Sequence, residues 1–355
     1  MASRIGTLQP FAARPLRAGA ALSGAAALLL TGCSAAEADG TDGEARVLLE
    51  NCGIEVAVDG PPERVYAAYQ PAIEVAHALG ISDRLVQTAF LDSEVLPEYT
   101  DAQAAADYVP SLPSRDGLLA TEPDFVLSGF NGVFAEDNPN SFGTRGRLAE
   151  LGIQSWILSP LCPSEDGLAD EAIDPATVRV ATIYDDLHDL GTLFEVTDRA
   201  EEVIAELEAR VAAVEERVAD APRPTVAIIS PQDDGGFRVA GGIDFGTQII
   251  EHAGGENAFA DLTELRNNNI DIEEIIKRDP DVILTSACCD ASLTDADAEP
   301  DVAKLMENPA LAGVTAVAEG NVHPFLFANR SAGVRAAHSI EQVAALLHPE
   351  LFTEQ

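Results

Sequence analysis

Residues able to do chemistry are sparse in this chain, and their spacing excludes more than it offers. Cys288 and Cys289 are adjacent, while Cys52 and Cys162 stand far from them and from each other. The histidines, at 77, 188, 252, 323, 338 and 348, keep neither C-x-x-C nor H-x-x-x-H spacing with cysteines or one another, so no metal site is expected. No G-x-S-x-G, P-loop lysine or H-E-x-x-H is present, and the glycines of "AGGIDFG" lack dinucleotide-loop spacing. Neither an enzyme nor a resident cofactor is expected. With Cys33 set aside for the reason below, four cysteines allow three pairings. A Cys52–Cys162 bridge would join the N-terminal strands to the first sheet; Cys288 and Cys289 are either a vicinal disulfide or two thiols.

Composition narrows the partners. Sixty acidic residues oppose 21 basic ones, for a net charge of −39, so nothing neutralises phosphates and nucleic acid is excluded. Residues 1–32 carry Arg4, Arg14 and Arg17, no acid, and the apolar run "AGAALSGAAALLL". At ~1.5 Å per residue that run reaches ~20 Å, short of a ~30 Å bilayer core, and reads as an export signal. "LTGC" resembles the lipobox of bacterial lipoproteins, which implies a lipid on Cys33; an ordinary cleaved signal is the alternative. Residues 33–45, small and acidic, read as a flexible tether. The expected location is the cell membrane, lipid-anchored on the extracytoplasmic face, with the lipid as sole membrane contact.

The elements that must position any site come in two sets. Strands and helices alternate through Gly and Pro junctions over 46–196, which predicts a parallel α/β sheet with helical crossovers. The stretch 197–220 has no Gly or Pro. Its Val203, Leu207, Val211, Val214 and Val218 recur at helical steps, predicting one long helix. Residues 221–355 repeat the α/β plan. "EPDFVLSG" at 122 and "DPDVILTS" at 279 are near copies: a helix stopped by proline, then a strand buried on both faces. The expected fold is α/β, two Rossmann-like lobes joined by a single long helix, with a ligand cleft between them.

"PPERVYAAYQPAIEVAHALGISDRLV", "LLATEPDFVLSG", "GTQIIEHAGGENAF" and "DIEEIIKRDPDVILT" carry a resemblance that spans nearly all of the chain from Val47. They resemble the helical-backbone class of substrate-binding proteins of ABC importers for ferric siderophores, cobalamin or haem. The resemblance implies a monomer that hands a small metal chelate to a permease and its ATPase. The cleft walls would be loops at the carboxyl ends of strands. The strand ends then nominate Tyr69, Gln70, Phe130, Asn131 and Trp156 (or the "SPLC" turn) in the first lobe. In the second they nominate Gln232, Phe237, Arg238, Cys288, Cys289, Asn329 and Arg330. Arg238 and Arg330 stand out where cations are scarce, since a guanidinium reads carboxylate, catecholate or hydroxamate oxygens.

The family uses one carboxylate per lobe to dock on its permease, which implies Asp116 and Glu273, each seven residues before the proline of its phrase. Acid in a first helical turn also favours the helix dipole, a structural alternative. A ferric siderophore is the expected ligand, with cobalamin or haem as the alternative; a surface sensor or adhesion module is the reading from another class.

Overall fold

The structure, a computed structural model, describes residues 46–135, 141–164 and 173–352. The expected leader, Cys33 and the tether up to residue 45 lie outside the described residues. The described residues form one compact unit.

An antiparallel hairpin, β1 (Val47–Asn51) and β2 (Ile54–Val58), turns at Cys52-Gly53. The first lobe's sheet contains β3 (Val65–Ala68), β4 (Leu85–Ala89), β5 (Tyr108–Val109), β6 (Phe125–Ser128) and β7 (Gln154–Ile157). Their order is β5-β4-β3-β6-β7 and every pairing is parallel. Cys52 is bonded to Cys162, which fastens the hairpin to the loop after β7.

The second lobe contains β8 (Thr225–Pro231), β9 (Phe237–Ala240), β10 (Glu256–Asn257), β11 (Asn267–Ile270), β12 (Val282–Leu284) and β13 (Val322–His323). Here β8, β10, β12 and β13 pair in parallel, but β9 runs antiparallel to both β8 and β11. This antiparallel ribbon departs from a purely Rossmann-like lobe, and it carries much of the site.

Between the lobes lies one helix, Thr197–Val218, with Val203, Leu207, Val211, Val214 and Val218 buried as their spacing predicts. The adjoining core is continuous. Val226 and Ile228 of β8 and Leu284 of β12 face that helix's cluster, while Ala227, Ile229 and Ile283 face a second cluster beyond the sheet. Alternation of side chains along a strand produces this division. Arg210 clamps Glu341 on the C-terminal helix Ala336–Leu347 with two bonds of 2.7 and 2.9 Å. At "HAGG", Gly254 adopts φ +82°, and a Cβ there would meet Val218 at 3.0 Å, so the motif marks a close docking on the interlobe helix.

The doubled phrase is one local structure made twice. Glu122 and Asp279, each just before its proline, take φ of 49° and 47°, turning the chain out of the helix. The next acid then holds the start of the neighbouring strand: Asp124 accepts from the amides of Glu63 and Arg64, and Asp281 from that of Thr225.

Candidate ligand-binding cleft

A cavity of about 590 Å³ opens between the lobes, bounded by the carboxyl ends of their strands. On the first-lobe side the chain leaves β3 at Tyr69, β4 at Phe90, β6 at Gly129-Phe130 and β7 near Leu161. Tyr69 and Phe90 have φ of 71° and 64°, a region costly for bulky side chains, and both strained turns sit on this wall. The Tyr69 ring meets Phe90 and Phe130 edge-on at 5.1 and 5.4 Å. Gly129 allows this packing, because a Cβ there would fall 2.4 Å from Pro71 Cγ.

The second-lobe side is polar. Gln232 follows β8, Arg238 lies on β9, Arg266 and Asn267 enter β11, Ser286 to Cys289 follow β12, and Phe327 and Arg330 follow β13. Arg266 stacks over Phe130 of the opposite lobe at 5.2 Å and over Phe327 at 5.5 Å. Arg330 is buried and bonded to both oxygens of Asp244, to Asn267 Oδ1 at 2.8 Å and to Ser286 Oγ at 3.2 Å. Its charge is thus largely met by Asp244, which also caps the helix Phe245–His252. Cys288 and Cys289 are bonded to each other and line the same cavity.

Several expected contacts are corrected. Trp156 is 1% exposed within the first-lobe core, and its indole N–H donates to Asp186 Oδ1 at 2.9 Å; the "SPLC" turn reaches the cavity through Leu161 instead. Phe237 points into the second-lobe core, because it alternates with Arg238 on β9. Asn329 is buried between Gln342 and Arg335. Gln70 lies beneath the wall and accepts from the amides of Asp92 and Ser93. Asn131 opens a short turn outside the cavity lining.

Asp116 and Glu273 are exposed in the first turns of helices Arg115–Ala120 and Ile272–Arg278, which lead into β6 and β12. They hold equivalent positions in the two lobes.

Residues the sequence reading missed include Phe90, Asp92, Arg266 and Phe327. Phe90 directly follows β4 and was within reach of the strand-end rule. Arg266 depends on the β9–β11 pairing, which "LRNNNI" does not announce. Asp92 is 4% exposed, and burial pushes its carboxyl up to about 7, opposed chiefly by Arg266 and Arg335.

The lobes are also fastened beside the cavity. Arg335 donates to both oxygens of the fully buried Glu74, whose position in sequence is 261 residues away, and to the Glu94 carbonyl. The Glu94 amide donates to the Leu293 carbonyl at 3.1 Å.

Comparison with known proteins accords with this geometry. The profile described as "Periplasmic binding protein" matches residues 65–323. A search of curated proteins finds no significant match. Among solved structures, a periplasmic binding protein from Veillonella parvula is 22% identical, with a TM-score of 0.72 over 86% of this chain and 98% of its own. A protein described as an ABC-type Fe3+-hydroxamate transport system, from Saccharomonospora viridis, is 26% identical, with a TM-score of 0.67 over 85% of this chain and 98% of its own. A periplasmic heme-binding protein from Roseiflexus is 18% identical, with a TM-score of 0.60 over 81% of this chain and 99% of its own.

Proposed function

Because the chain belongs to the periplasmic binding protein family, we propose that it captures a ferric siderophore in the interlobe cleft and delivers it to an ABC importer. The observation that carries this reading is the division of the cavity, aromatic on one side and guanidinium-bearing on the other. Tyr69, Phe90 and Phe130 offer flat apolar area to the organic shell of a chelate. Arg238 and Arg266 offer planar donors to its anionic oxygens in a protein of net charge −39. The Fe3+-hydroxamate description of the Saccharomonospora protein supports the same ligand class. Cys33 would carry the lipid that keeps the protein at the extracytoplasmic face of the membrane. Asp116 and Glu273 would meet basic residues of the permease, one from each lobe.

Trp156 is sealed in the core, so calorimetry or thermal shift is the better assay than its fluorescence. The purified protein is titrated with a ferric trihydroxamate, a ferric catecholate, cobalamin and haem. A ligand at 100 times its Kd raises stability by about 2.7 kcal/mol. Micromolar binding of a ferric chelate is expected; binding of cobalamin or haem with none of the ferric chelates would overturn the choice of ligand. Reversing charge at Asp116 and Glu273 together is expected to abolish uptake while ligand affinity stays unchanged. Unchanged uptake would remove the docking role.

A further inference from the structure

Asp92 and the Cys288–Cys289 pair lie 196 residues apart in sequence, yet they meet at the cleft wall with Asp92 Oδ1 3.4 Å from Cys288 Sγ. The carboxyl comes from the loop after β4 in one lobe and the sulfurs from the loop after β12 in the other. Backbone bonding holds the two loops against each other: the Asp290 amide donates to the Asp92 carbonyl, and the Glu94 amide to the Leu293 carbonyl. From below, Gln70 accepts from the Asp92 amide, so the carboxyl is held in place while its oxygens face the sulfurs.

Asp92 is 4% exposed, and the charges of Arg266 and Arg335 offset part of the cost of burying its carboxylate. A disulfide sulfur has no proton to give. Once the pair is reduced, the same three residues offer two thiolates and one carboxylate oxygen, and their ligand atoms already lie within 4.8 Å of one another. Zn–S bonds of ~2.3 Å and Zn–O bonds of ~2.1 Å give tetrahedral edges of about 3.6–3.8 Å; the 3.4 Å from Asp92 Oδ1 to Cys288 Sγ already approaches one edge, and the two sulfurs move apart to reach theirs once their bond is broken. Cys288 and Cys289 are exposed, which leaves a fourth position to water or to a cleft ligand.

We infer that reduced Cys288 and Cys289, together with Asp92, form a binding site for a thiophilic divalent cation of the zinc–cadmium type, with ligands from both lobes. Two thiolates select such an ion over Mg2+ or Ca2+, which take oxygen ligands. Opening the site takes two electrons and two protons from a dithiol reductant. The reductant's two S–H bonds break and its sulfurs join, while the Cys288–Cys289 bond is replaced by two S–H groups. The cation then displaces those two protons and bridges the lobes. The disulfide form has no thiolate and does not hold the ion, so the site is gated by redox state. It stands independently of any iron chelate in the cavity.

Cadmium is the probe, because its thiolate complexes absorb in the ultraviolet. The full chain is reduced gently with dithiothreitol, freed of reductant without air and titrated with Cd2+, and opened thiols are mapped by alkylation and mass analysis. Reduced protein is expected to take one more Cd2+ per chain than the C288S/C289S double variant, with matching charge-transfer absorption, and unreduced protein to lack that ion. D92N is expected to weaken binding at least tenfold. Thermal melting of each variant checks the fold, and a C52A/C162A chain repeats the titration should mapping show the buried Cys162 opened as well. Equal Cd2+ uptake by reduced protein and C288S/C289S would overturn the site. Unchanged affinity in D92N would remove Asp92 from it.

Discussion

The two lobes share a plan and divide the work at the cleft. Each places a proline-stopped helix before a buried strand and opens a loop at that strand's end. The first lobe's five-stranded sheet is parallel throughout, and its strand ends deliver Tyr69, Phe90 and Phe130, an apolar wall with strained turns at Tyr69 and Phe90. The second adds the antiparallel β9–β11 ribbon and delivers Arg238, Arg266 and Asn267, with Arg330 and the cysteines from the loops that follow β13 and β12. A parallel strand presents a loop at its end alone. An antiparallel ribbon projects alternate side chains along its length, and this is how the second lobe aims several polar groups at one cavity.

The tie between the lobes is the first feature to break. R335M leaves the fully buried Glu74 without its cation and is expected to cost about 3 kcal/mol in denaturant unfolding. The double variant E74Q/R335M should recover part of that loss, and a single loss near zero would mean that the lobes hold without the pair. On the apolar side, G129A drives a Cβ toward Pro71 and is expected to lose about 1–3 kcal/mol together with ligand affinity. Gly146 has open space around the same position, so G146A serves as the silent control. On the polar side, R266A should weaken an anionic ferric chelate about tenfold, roughly 1.4 kcal/mol by calorimetry, with melting nearly unchanged. If F130A alone reproduces that loss in full, stacking rather than charge carries the contribution of the polar wall.

The smallest effect lies away from the cleft. Asp186 is buried and accepts from the Trp156 indole, the Ser159 amide and the Ser159 hydroxyl, and burial pushes its carboxyl up to about 7. Since the folded value exceeds that of the unfolded chain, this group's stabilising contribution is full below about pH 4. It is lost as pH rises through about 7. Trp156, the single tryptophan, should therefore change its emission with a midpoint near pH 7, and D186N should flatten that titration. A flat wild-type profile would remove the assignment.

Legibility differed by kind of residue. The interlobe helix, the doubled phrase and the equivalence of Asp116 and Glu273 were readable because each is local. Helical spacing, a proline stop and a fixed offset all survive in a linear string. Strand-end residues such as Tyr69 and Phe130 were readable for the same reason. Trp156, next to last in β7, and Phe237, first in β9, misled because adjacent strand residues point to opposite faces, and the string does not say which face is core. Arg266 was invisible until β9 and β11 paired.

By itself the sequence determined two α/β lobes, a stiff helix between them and a cleft where their strands end. These follow from period, breakers and burial pattern, which act over a few residues. Tertiary packing decided which groups share the cavity. It spent Arg330 on Asp244, set Arg266 between two aromatic rings and brought Asp92 to Cys288 across 196 residues. Such meetings depend on where whole sheets come to rest, and no short-range spacing encodes that.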